Sequence, residues 1–245
     1  MSTINTYFDN LQALLSRTLN TQQPAMETAA RKIADCMKSG GMLYTFGTGH
    51  GHLLALEVFY RAGGMARVCP IVDEKLMLHV SAAGSTLEER KEEWVSLLLE
   101  RFPIKAGDVL ISASNSGRNA VPVLLAKAAR ERGAYVIALT SMNHTTAVTS
   151  RNSLNLRLFE TADLILDNGG VLGDASVSFA DGAMVGPTST AVGAAMLQAI
   201  VCRVKELSLE EGFEADFFKS SNVDGGDEWN DRLIERYKDT IPGLL

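Results

Sequence analysis

The stretch Gly107-Asp-Val-Leu-Ile-Ser-Ala-Ser-Asn-Ser-Gly-Arg-Asn119 joins a short apolar run to a cluster of small polar residues. The run 109–113 has the length and composition of a buried strand. Pro122 follows, and proline is tolerated only in the first turn of a helix because it lacks an N–H group. The helix must therefore begin near Asn119. These residues predict a strand, a polar turn and a helix, the unit from which α/β sheets are built.

The same alternation extends in both directions along the chain. Apolar segments typical of strands cover 42–46, 66–72, 135–140 and 162–166, and helical patterns cover 53–62, 87–102, 119–132, 190–207 and 228–237. Strands that are apolar on both faces and alternate with helices predict a parallel sheet with helices on both sides. We therefore expect an α/β fold, a three-layer sandwich with a central parallel five-stranded sheet of the flavodoxin-like type. The helix from Thr190 is apolar nearly all round, which predicts that it is buried.

Residues 1–41 are predicted to form a helical N-terminal extension. Apolar residues recur at helical spacing between Phe8 and Leu19, Pro24 interrupts the pattern, and a second helical run covers 25–38. We expect two helices here that pack on the main domain or on a partner subunit. The main domain, with a C-terminal tail, is predicted over 42–245.

The composition excludes several classes of protein. The 245 residues carry a formal net charge of −6, which disfavours non-specific binding to nucleic acid. No apolar run is long enough to cross a bilayer, and the first residues do not resemble a secretory signal. Cys36, Cys69 and Cys202 are widely spaced and lie in apolar segments, which predicts buried, reduced thiols rather than disulfides or a CxxC metal site. We therefore expect a cytoplasmic protein that binds no nucleic acid and no membrane.

The polar turn after the third strand is the strongest candidate for a ligand site. Ser114, Asn115, Ser116 and Asn119 crowd against the predicted N-terminus of a helix, where backbone N–H groups are free and the helix dipole is positive. Hydroxyl and amide groups add neutral donors. A simple helix cap needs only one such side chain, so the cluster favours a cradle for a phosphate group over a capping role.

The turn after the first strand, Gly47-Thr-Gly-His-Gly51, indicates that the backbone approaches something closely. Gly47-x-Gly49 resembles the start of a dinucleotide fingerprint, but the third glycine is missing, so a nucleotide site is the weaker interpretation. His50 and His52 have no partner motif for a metal, and we expect neither a metal site nor a cofactor. They are better suited as proton donors to a sugar oxygen, since imidazole titrates near neutral pH.

Three carboxylates and one helix start complete the set of candidates. Glu57 lies within an apolar helical run, which fits either a salt bridge with Arg61 or a general base with a raised pKa. Glu88 and Glu89 are more typical of a solvated helix start. The first interpretation of Thr188 and Ser189 is that they cap the helix that follows. Their hydroxyl groups could also face a ligand.

These stretches resemble a known family. The segments Phe46-Gly-Thr-Gly-His50, 107–119 and Gly133-Ala-Tyr-Val-Ile-Ala-Leu-Thr140 are similar to the sugar isomerase (SIS) domain, which binds phosphosugars on a parallel sheet. Together with Tyr60-Arg-Ala-Gly-Gly64, Asp167-Asn168, Gly173-Asp-Ala175 and Pro187-Thr-Ser-Thr190, they resemble a subfamily of single-SIS-domain proteins labelled phosphoheptose isomerases. The resemblance spans roughly 42–207.

The resemblance implies a function and a set of site residues. The phosphate-loop positions would be Ser114, Asn115, Ser116 and Asn119, and the first loop would contribute Gly49, His50 and Gly51 to substrate binding. Gly51 departs from the family, which usually has a phosphosugar-binding serine there. The catalytic set would be Glu57 as the base on the first helix, His79 for ring opening, and Glu89, which matches a Glu-Arg pair of the subfamily.

The predicted activity is therefore aldose–ketose isomerisation of a sugar phosphate through an enediol. A non-catalytic phosphosugar sensor and a phosphosugar lyase or etherase remain alternatives, because a fold does not define its chemistry. If Glu57 is the base, Glu57→Gln should abolish turnover and leave binding intact. SIS domains commonly assemble into dimers, so a homo-oligomer, a dimer or a tetramer, is expected as well.

Overall fold

The computed structural model describes residues 2–245, and its centre is a parallel five-stranded sheet. The strands are β1 (Leu43–Gly47), β2 (Val68–Ile71), β3 (Val109–Ala113), β4 (Tyr135–Thr140) and β5 (Leu164–Asp167). Their order across the sheet is β2-β1-β3-β4-β5, with every neighbouring pair parallel. The predicted three-layer sandwich around a five-stranded parallel sheet is confirmed.

Nine helices and a small hairpin surround the sheet within the described residues. The helices are α1 (Thr3–Lys38), α2 (Gly51–Glu57), α3 (Ala82–Glu88), α4 (Trp94–Arg101), α5 (Ala120–Glu131), α6 (Met142–Thr145), α7 (Leu158–Thr161), α8 (Ser189–Glu210) and α9 (Gly226–Tyr237). The hairpin pairs β6 (Val177–Ser178) with β7 (Met184–Val185).

Two apolar cores lie on the two faces of the sheet, because alternate strand residues point in opposite directions. Leu43 belongs to the core under α1, α2 and α8, whereas the adjacent Tyr44 belongs to the core under α4, α5, α7 and α9. The chain crosses from β1 to β2 on one side and returns to β3 on the other. The carboxyl ends of β1 and β3 therefore form the switch point, where open α/β sheets bind ligands.

The prediction of two N-terminal helices is wrong, since α1 is one continuous helix with Pro24 inside it. A proline in a helix removes one hydrogen bond, but other contacts of this helix hold it to the domain. Arg17 donates to the carbonyl of Gly169 at 3.1 Å, and the side chain of Gln22 accepts from the Asp167 N–H at 3.0 Å. Tertiary packing thus outweighs the local signal.

The predicted helix over 87–102 is also wrong, because the chain forms two helices, α3 and α4, separated by a turn at 89–93. The Val121 N–H, in the first turn of α5, donates to the backbone carbonyl of Glu89 at 3.1 Å. This contact ends α3 beside the switch point. The helix predicted over 53–62 is shorter too and ends at Glu57.

Two predictions of burial need correction. Cys36 and Cys69 are buried, as expected, but Cys202 is exposed on α8. The helix α8 itself is buried on one side, and small side chains such as Ala195 and Ala191 are exposed on the other. No helix among residues 2–245 combines the length and the apolar character needed to cross a membrane.

Candidate functional site

A cavity of about 250 Å³ lies at the carboxyl ends of β1, β3 and β4, which is the edge that the sequence predicted. It is lined by Thr48, Gly49, His50, Gly51, Leu54, Glu89, Ala113, Ser114, Asn115, Ser116, Asn119, Leu139, His144, Asn168, Asp174, Ser189 and Thr190. The cavity therefore brings together the glycine-rich turn, the polar turn and the start of α8.

The polar turn after β3 forms one wall of the cavity. α5 begins at Ala120 with Asn119 as its cap, so the helix starts where Pro122 predicted it would. Ser114 Oγ accepts from the Gly117 N–H at 3.2 Å, and Gly117 adopts the left-handed conformation with φ +55°. A side chain at 117 would meet the Thr145 hydroxyl oxygen at 2.9 Å, which explains the glycine.

Two amides of this turn retain unused hydrogen-bonding capacity. Asn115 Oδ1 accepts from Asn168 Nδ2 at 2.9 Å, while Asn115 Nδ2 has no partner. Asn119 Nδ2 donates to Glu89 at 2.7 Å, while Asn119 Oδ1 has none. Buried polar groups are normally satisfied, so unpartnered groups beside a cavity indicate a place for a polar ligand.

Of the three predicted catalytic residues, Glu89 alone lines the cavity. Its two oxygens accept from the Thr48 hydroxyl and from Asn119 Nδ2, which hold the carboxylate between the two turns. Burial raises the pKa of Glu89, and the hydrogen bonds from Thr48 and Asn119 and the charges of Arg90 and Arg151 oppose this rise only in part. A carboxyl group poised in this way can accept a proton.

His144 and Asp174 also line the cavity. The pKa of His144 is lowered, chiefly by burial, so its imidazole is neutral at pH 7. Its Nδ1 atom has no hydrogen-bond partner. Asp174 accepts from the N–H groups of Thr188 and Ser189 at 3.2 and 3.1 Å and from the Ser189 hydroxyl. This carboxylate therefore occupies the positive end of α8.

Arg118, within the polar turn, lies close enough to Arg90 and Arg151 for their charges to act on it. Arg118 Nε is buried without a partner, and Arg118 Nη2 donates to the Thr149 hydroxyl at 3.2 Å. Arg151 is held beside it by a hydrogen bond from its N–H to the Arg118 carbonyl at 2.8 Å. Burial and the positive charges of Arg151 and Arg90 lower the pKa of Arg118. An anion near this cluster would relieve the repulsion among the three cations.

Comparison with known proteins decides the family. The sequence profile of the SIS domain matches residues 6–141. A UPF0309 protein from Listeria innocua is 40% identical over 242 residues, which cover 98% of both chains. The chain belongs to the SIS-domain family. A UPF0309 protein from Geobacillus kaustophilus is 40% identical over 249 residues, covering 99% of this chain and 97% of its own.

Solved structures share the SIS fold at low identity. The phosphoheptose isomerase GmhA from Neisseria gonorrhoeae aligns with a TM-score of 0.56 and 17% identity over 83% of this chain and 97% of its own. A phosphoheptose isomerase from Francisella tularensis gives 0.58 and 15% over 84% and 100%. The NanR protein of Vibrio vulnificus, complexed with ManNAc-6P, gives 0.54 and 15% over 98% and 69%. At these identities the likeness shows the fold.

Gly51, which departs from the SIS signature, is required by the backbone of this chain. A Cβ atom at position 51 would lie 2.6 Å from the Ala113 carbonyl oxygen, so the two turns touch here. A serine could be accommodated only if the backbone shifted. His52 is buried, and its ring contacts the Gly49 carbonyl, which fixes the turn.

Three of the predicted residues do not line this cavity of the SIS domain. Glu57 pairs with Arg61 at 2.7 Å and accepts from Gln198 at 3.2 Å, which is the salt bridge that its sequence spacing allowed. His79 lies in an exposed turn. Thr188 is buried, and its backbone N–H donates a hydrogen bond to the Asp174 carboxylate.

Four lining residues were not predicted to belong to the site: Thr48, His144, Asn168 and Asp174. His144 follows β4 by four residues, so the rule that ligands bind at the carboxyl ends of strands could have indicated it. Asp174 lies in an irregular segment with φ +53°, and the resemblance of Gly173-Asp-Ala175 to the subfamily gave it no role. Within residues 2–245, no group of three or more metal-ligating side chains is placed to hold an ion.

Proposed function

We propose that this SIS-domain protein binds a sugar phosphate in the cavity at the carboxyl edge and interconverts its aldose and ketose forms. The observation that carries the proposal is a half-buried carboxylate, Glu89, held by Thr48 and Asn119 in the same cavity as the unpartnered amide nitrogen of Asn115. Neutral donors at the start of a helix suit a phosphate, and a carboxylate of raised pKa suits proton transfer.

The phosphate is assigned to the turn 114–119. Ser116 and the free amide nitrogen of Asn115 would donate to its oxygens, and Arg118 and Arg151 would supply positive charge from behind. The names of the structural relatives support a phosphorylated sugar, since two are phosphoheptose isomerases and a third is complexed with ManNAc-6P.

The proposed reaction moves one proton between adjacent carbons. Glu89 removes the proton from C2 of the open-chain aldose, and the electron pair forms the C1–C2 double bond of an enediol as O1 gains a proton. Glu89 then returns its proton to C1 while the hydroxyl at C2 loses one and becomes the ketone. His144, which lines the same cavity and is neutral at pH 7, would carry the proton between O2 and O1. The aldose and the ketose are isomers, so the reaction needs no external oxidant or reductant.

The test combines binding with isotope exchange. Hexose and heptose phosphates should raise the melting temperature, and unphosphorylated sugars and NAD should not, because a ligand stabilises the state that binds it. In deuterated water, the wild type should introduce deuterium at the exchanging carbon of a stabilising ligand. Glu89→Gln should lower the exchange rate by about 10³-fold or more while the thermal shift remains.

Two matched variants complete this experiment. Glu88→Gln changes the neighbouring carboxylate, which is bound to Lys91 and Trp94, and should leave exchange unchanged. Glu57→Gln should retain exchange, since Glu57 lies outside the cavity. Loss of exchange in Glu57→Gln but not in Glu89→Gln would contradict the proposal and assign the base to Glu57.

A non-catalytic phosphosugar sensor is the second candidate, and one observation favours it. Both oxygens of Glu89 accept hydrogen bonds from the protein, which is also the arrangement of a structural carboxylate. A thermal shift with sugar phosphates, together with no exchange in the wild type, would support the sensor.

We further propose that the chain is cytoplasmic and forms a homo-oligomer. All three cysteines are free thiols, which is typical of a reducing compartment. Exposed apolar side chains lie on α1 and α2, among them Phe8, Leu53 and Leu56. Exposed apolar side chains are typical of a protein interface.

A further inference from the structure

A second and larger cavity, of about 870 Å³, lies at the opposite edge of the sheet. It opens beside the amino ends of β1 and β2, and Phe102 and Tyr237 line it from the ends of α4 and α9. It shares no lining residue with the cavity at the carboxyl edge. The proposed isomerase reaction makes no use of it.

Tyr44 lines this cavity, and its hydroxyl group has no hydrogen-bond partner within residues 2–245. The residue is only 4% exposed. Burial raises the pKa of Tyr44, so the group is a protonated donor at neutral pH. The hydroxyl oxygen is not fully enclosed, so the group can donate to a molecule that occupies the cavity.

Arg67 supplies a positive charge on the same face of the sheet. Tyr44 is paired with Cys69 across β1 and β2, and Arg67 precedes Cys69 by two residues, so all three side chains lie on one face. The Arg67 guanidinium donates to neutral groups: two backbone carbonyls at 3.1 and 3.3 Å and the Tyr237 hydroxyl at 3.5 Å. Within the described chain no carboxylate pairs with it.

The other cations around the cavity are neutralised. Each is paired with an aspartate: Arg101 with Asp73 at 2.6 Å, Arg236 with Asp216 at 2.8 Å and Lys105 with Asp108 at 3.3 Å. Arg67 is therefore the one lining cation, in the part of the chain described, whose charge remains uncompensated. A ligand with a single negative charge would satisfy both Arg67 and the Tyr44 hydroxyl.

The other residues that line this second cavity indicate which uncharged part of a ligand would fit there. Cys69, Phe102 and the rings of Tyr44 and Tyr237 are buried and present an apolar, largely aromatic surface. Two acidic residues, Glu100 and Asp239, also line the cavity, and both are exposed. A second negative charge on the ligand would be repelled there, whereas a flat apolar ring would pack on the aromatic side chains.

We propose that this cavity is a second binding site, for an organic monoanion with an aromatic body, whose carboxylate accepts from the Arg67 guanidinium and the Tyr44 hydroxyl. The site lies at the other end of β1 from the proposed sugar-phosphate site. The two sites share no lining residue, so this proposal does not depend on the proposed isomerase activity.

The test uses two probes that share one ring system and differ in charge, 2-naphthoate and its neutral amide, 2-naphthamide. By calorimetric titration the wild type should bind 2-naphthoate about tenfold more tightly than 2-naphthamide, which corresponds to one charge-assisted hydrogen bond. Arg67→Gln should remove this difference by weakening 2-naphthoate alone. Tyr44→Phe should weaken 2-naphthoate several-fold, and the exposed control Tyr60→Phe should change nothing.

Two results would overturn the proposal. One is equal affinity of the wild type for the acid and the amide. The other is unchanged binding of 2-naphthoate by both Arg67→Gln and Tyr44→Phe. If Arg67→Gln does not fold, Arg67→Lys keeps the charge and should still prefer the acid, and loss of that preference in this folded variant would equally count against the site. Direct competition between 2-naphthoate and a sugar phosphate would place the probe at the carboxyl edge and refute the assignment.

Discussion

At the scale of single residues, the carboxyl edge depends on close approach and on burial. Gly51 allows the turn after β1 to touch the end of β3, because any Cβ atom at this position would collide with the Ala113 carbonyl oxygen. Glu89 is held between the turns after β1 and β3 by its two hydrogen bonds. The geometry of the proposed site therefore rests on two neighbouring contacts, each of which can be tested.

Replacing Gly51 by serine should destabilise the protein rather than restore a family hydroxyl. The new Cβ would force the two turns apart, and we expect the free energy of unfolding in urea to fall by about 1–3 kcal/mol. Ala83→Ser adds a hydroxyl at an exposed helix position and serves as the control. A Gly51→Ser protein as stable as the wild type would show that the turns can separate without cost.

The raised pKa of Glu89 predicts a pH dependence of stability. A carboxyl group with a higher pKa in the folded than in the unfolded state stabilises the fold below the unfolded pKa, about 4.3, and this contribution is lost as the pH rises through the folded pKa. The free energy of unfolding of the wild type, relative to Glu89→Gln, should therefore decrease as the pH rises above about 4.3 and through the raised pKa of Glu89.

Glu88 provides a control of opposite sign. Its hydrogen bonds from Lys91 and Trp94 lower its pKa, so its contribution is present above the unfolded pKa and is lost as the pH falls. Relative to Glu88→Gln, the wild type should gain stability with rising pH, by an amount that solvent screening keeps small. The same trend in both variants would contradict the environment described for Glu89.

At the scale of elements, tertiary contacts decide where helices begin and end. Pro24 does not break α1, because Gln22 and Arg17 tie the helix to the end of β5 and the loop after it. Conversely, the pattern over 87–102 is interrupted because the Glu89 carbonyl accepts from the first turn of α5. Periodicity along the chain carries no information about either contact.

The continuity of α1 can be measured through its proline. Pro24→Ala should raise the free energy of unfolding by about 1–3 kcal/mol, because alanine restores an N–H donor inside the helix and relieves the clash of the ring. Pro103→Ala, outside the helices, should change it by less than about 0.5 kcal/mol. A loss of stability in Pro24→Ala would argue for a break at this position.

At the scale of the whole molecule, a cavity lies at each of the two edges of the sheet where strands begin or end. The carboxyl edge gathers loops from β1, β3 and β4 around the proposed sugar-phosphate site, while the amino edge holds the cavity with Tyr44 and Arg67. Exposed apolar side chains on α1 and α2, such as Phe8 and Leu56, lie outside both cavities.

The proposed homo-oligomer predicts an effect of charge on these helices. Leu56 is 38% exposed, and Leu56→Glu should shift the molar mass in sedimentation equilibrium toward that of one chain, because a carboxylate in an apolar interface is desolvated without a partner. Leu154→Glu places the same charge at an exposed position far along the chain and should leave the mass unchanged. A wild-type protein with the mass of a single chain would refute the oligomer.

The sequence by itself determined the class of fold and the place of the polar turn. Alternating apolar strands and helices, together with Pro122 in the first turn of α5, are local features, and local features define a strand–turn–helix unit. The carboxyl edge could be predicted for the same reason, since it follows from parallel strands alone.

Only the tertiary structure decided which titratable groups meet at that edge. Glu57 and Glu89 both lie in predicted helices, yet one pairs with Arg61 and the other is hydrogen-bonded between two turns. His144 and Asp174 reach the cavity from segments outside the sheet, and the residues of the second cavity meet through the pairing of β1 with β2. Such encounters join residues far apart in the chain, and their energies depend on burial, which a one-dimensional pattern does not contain.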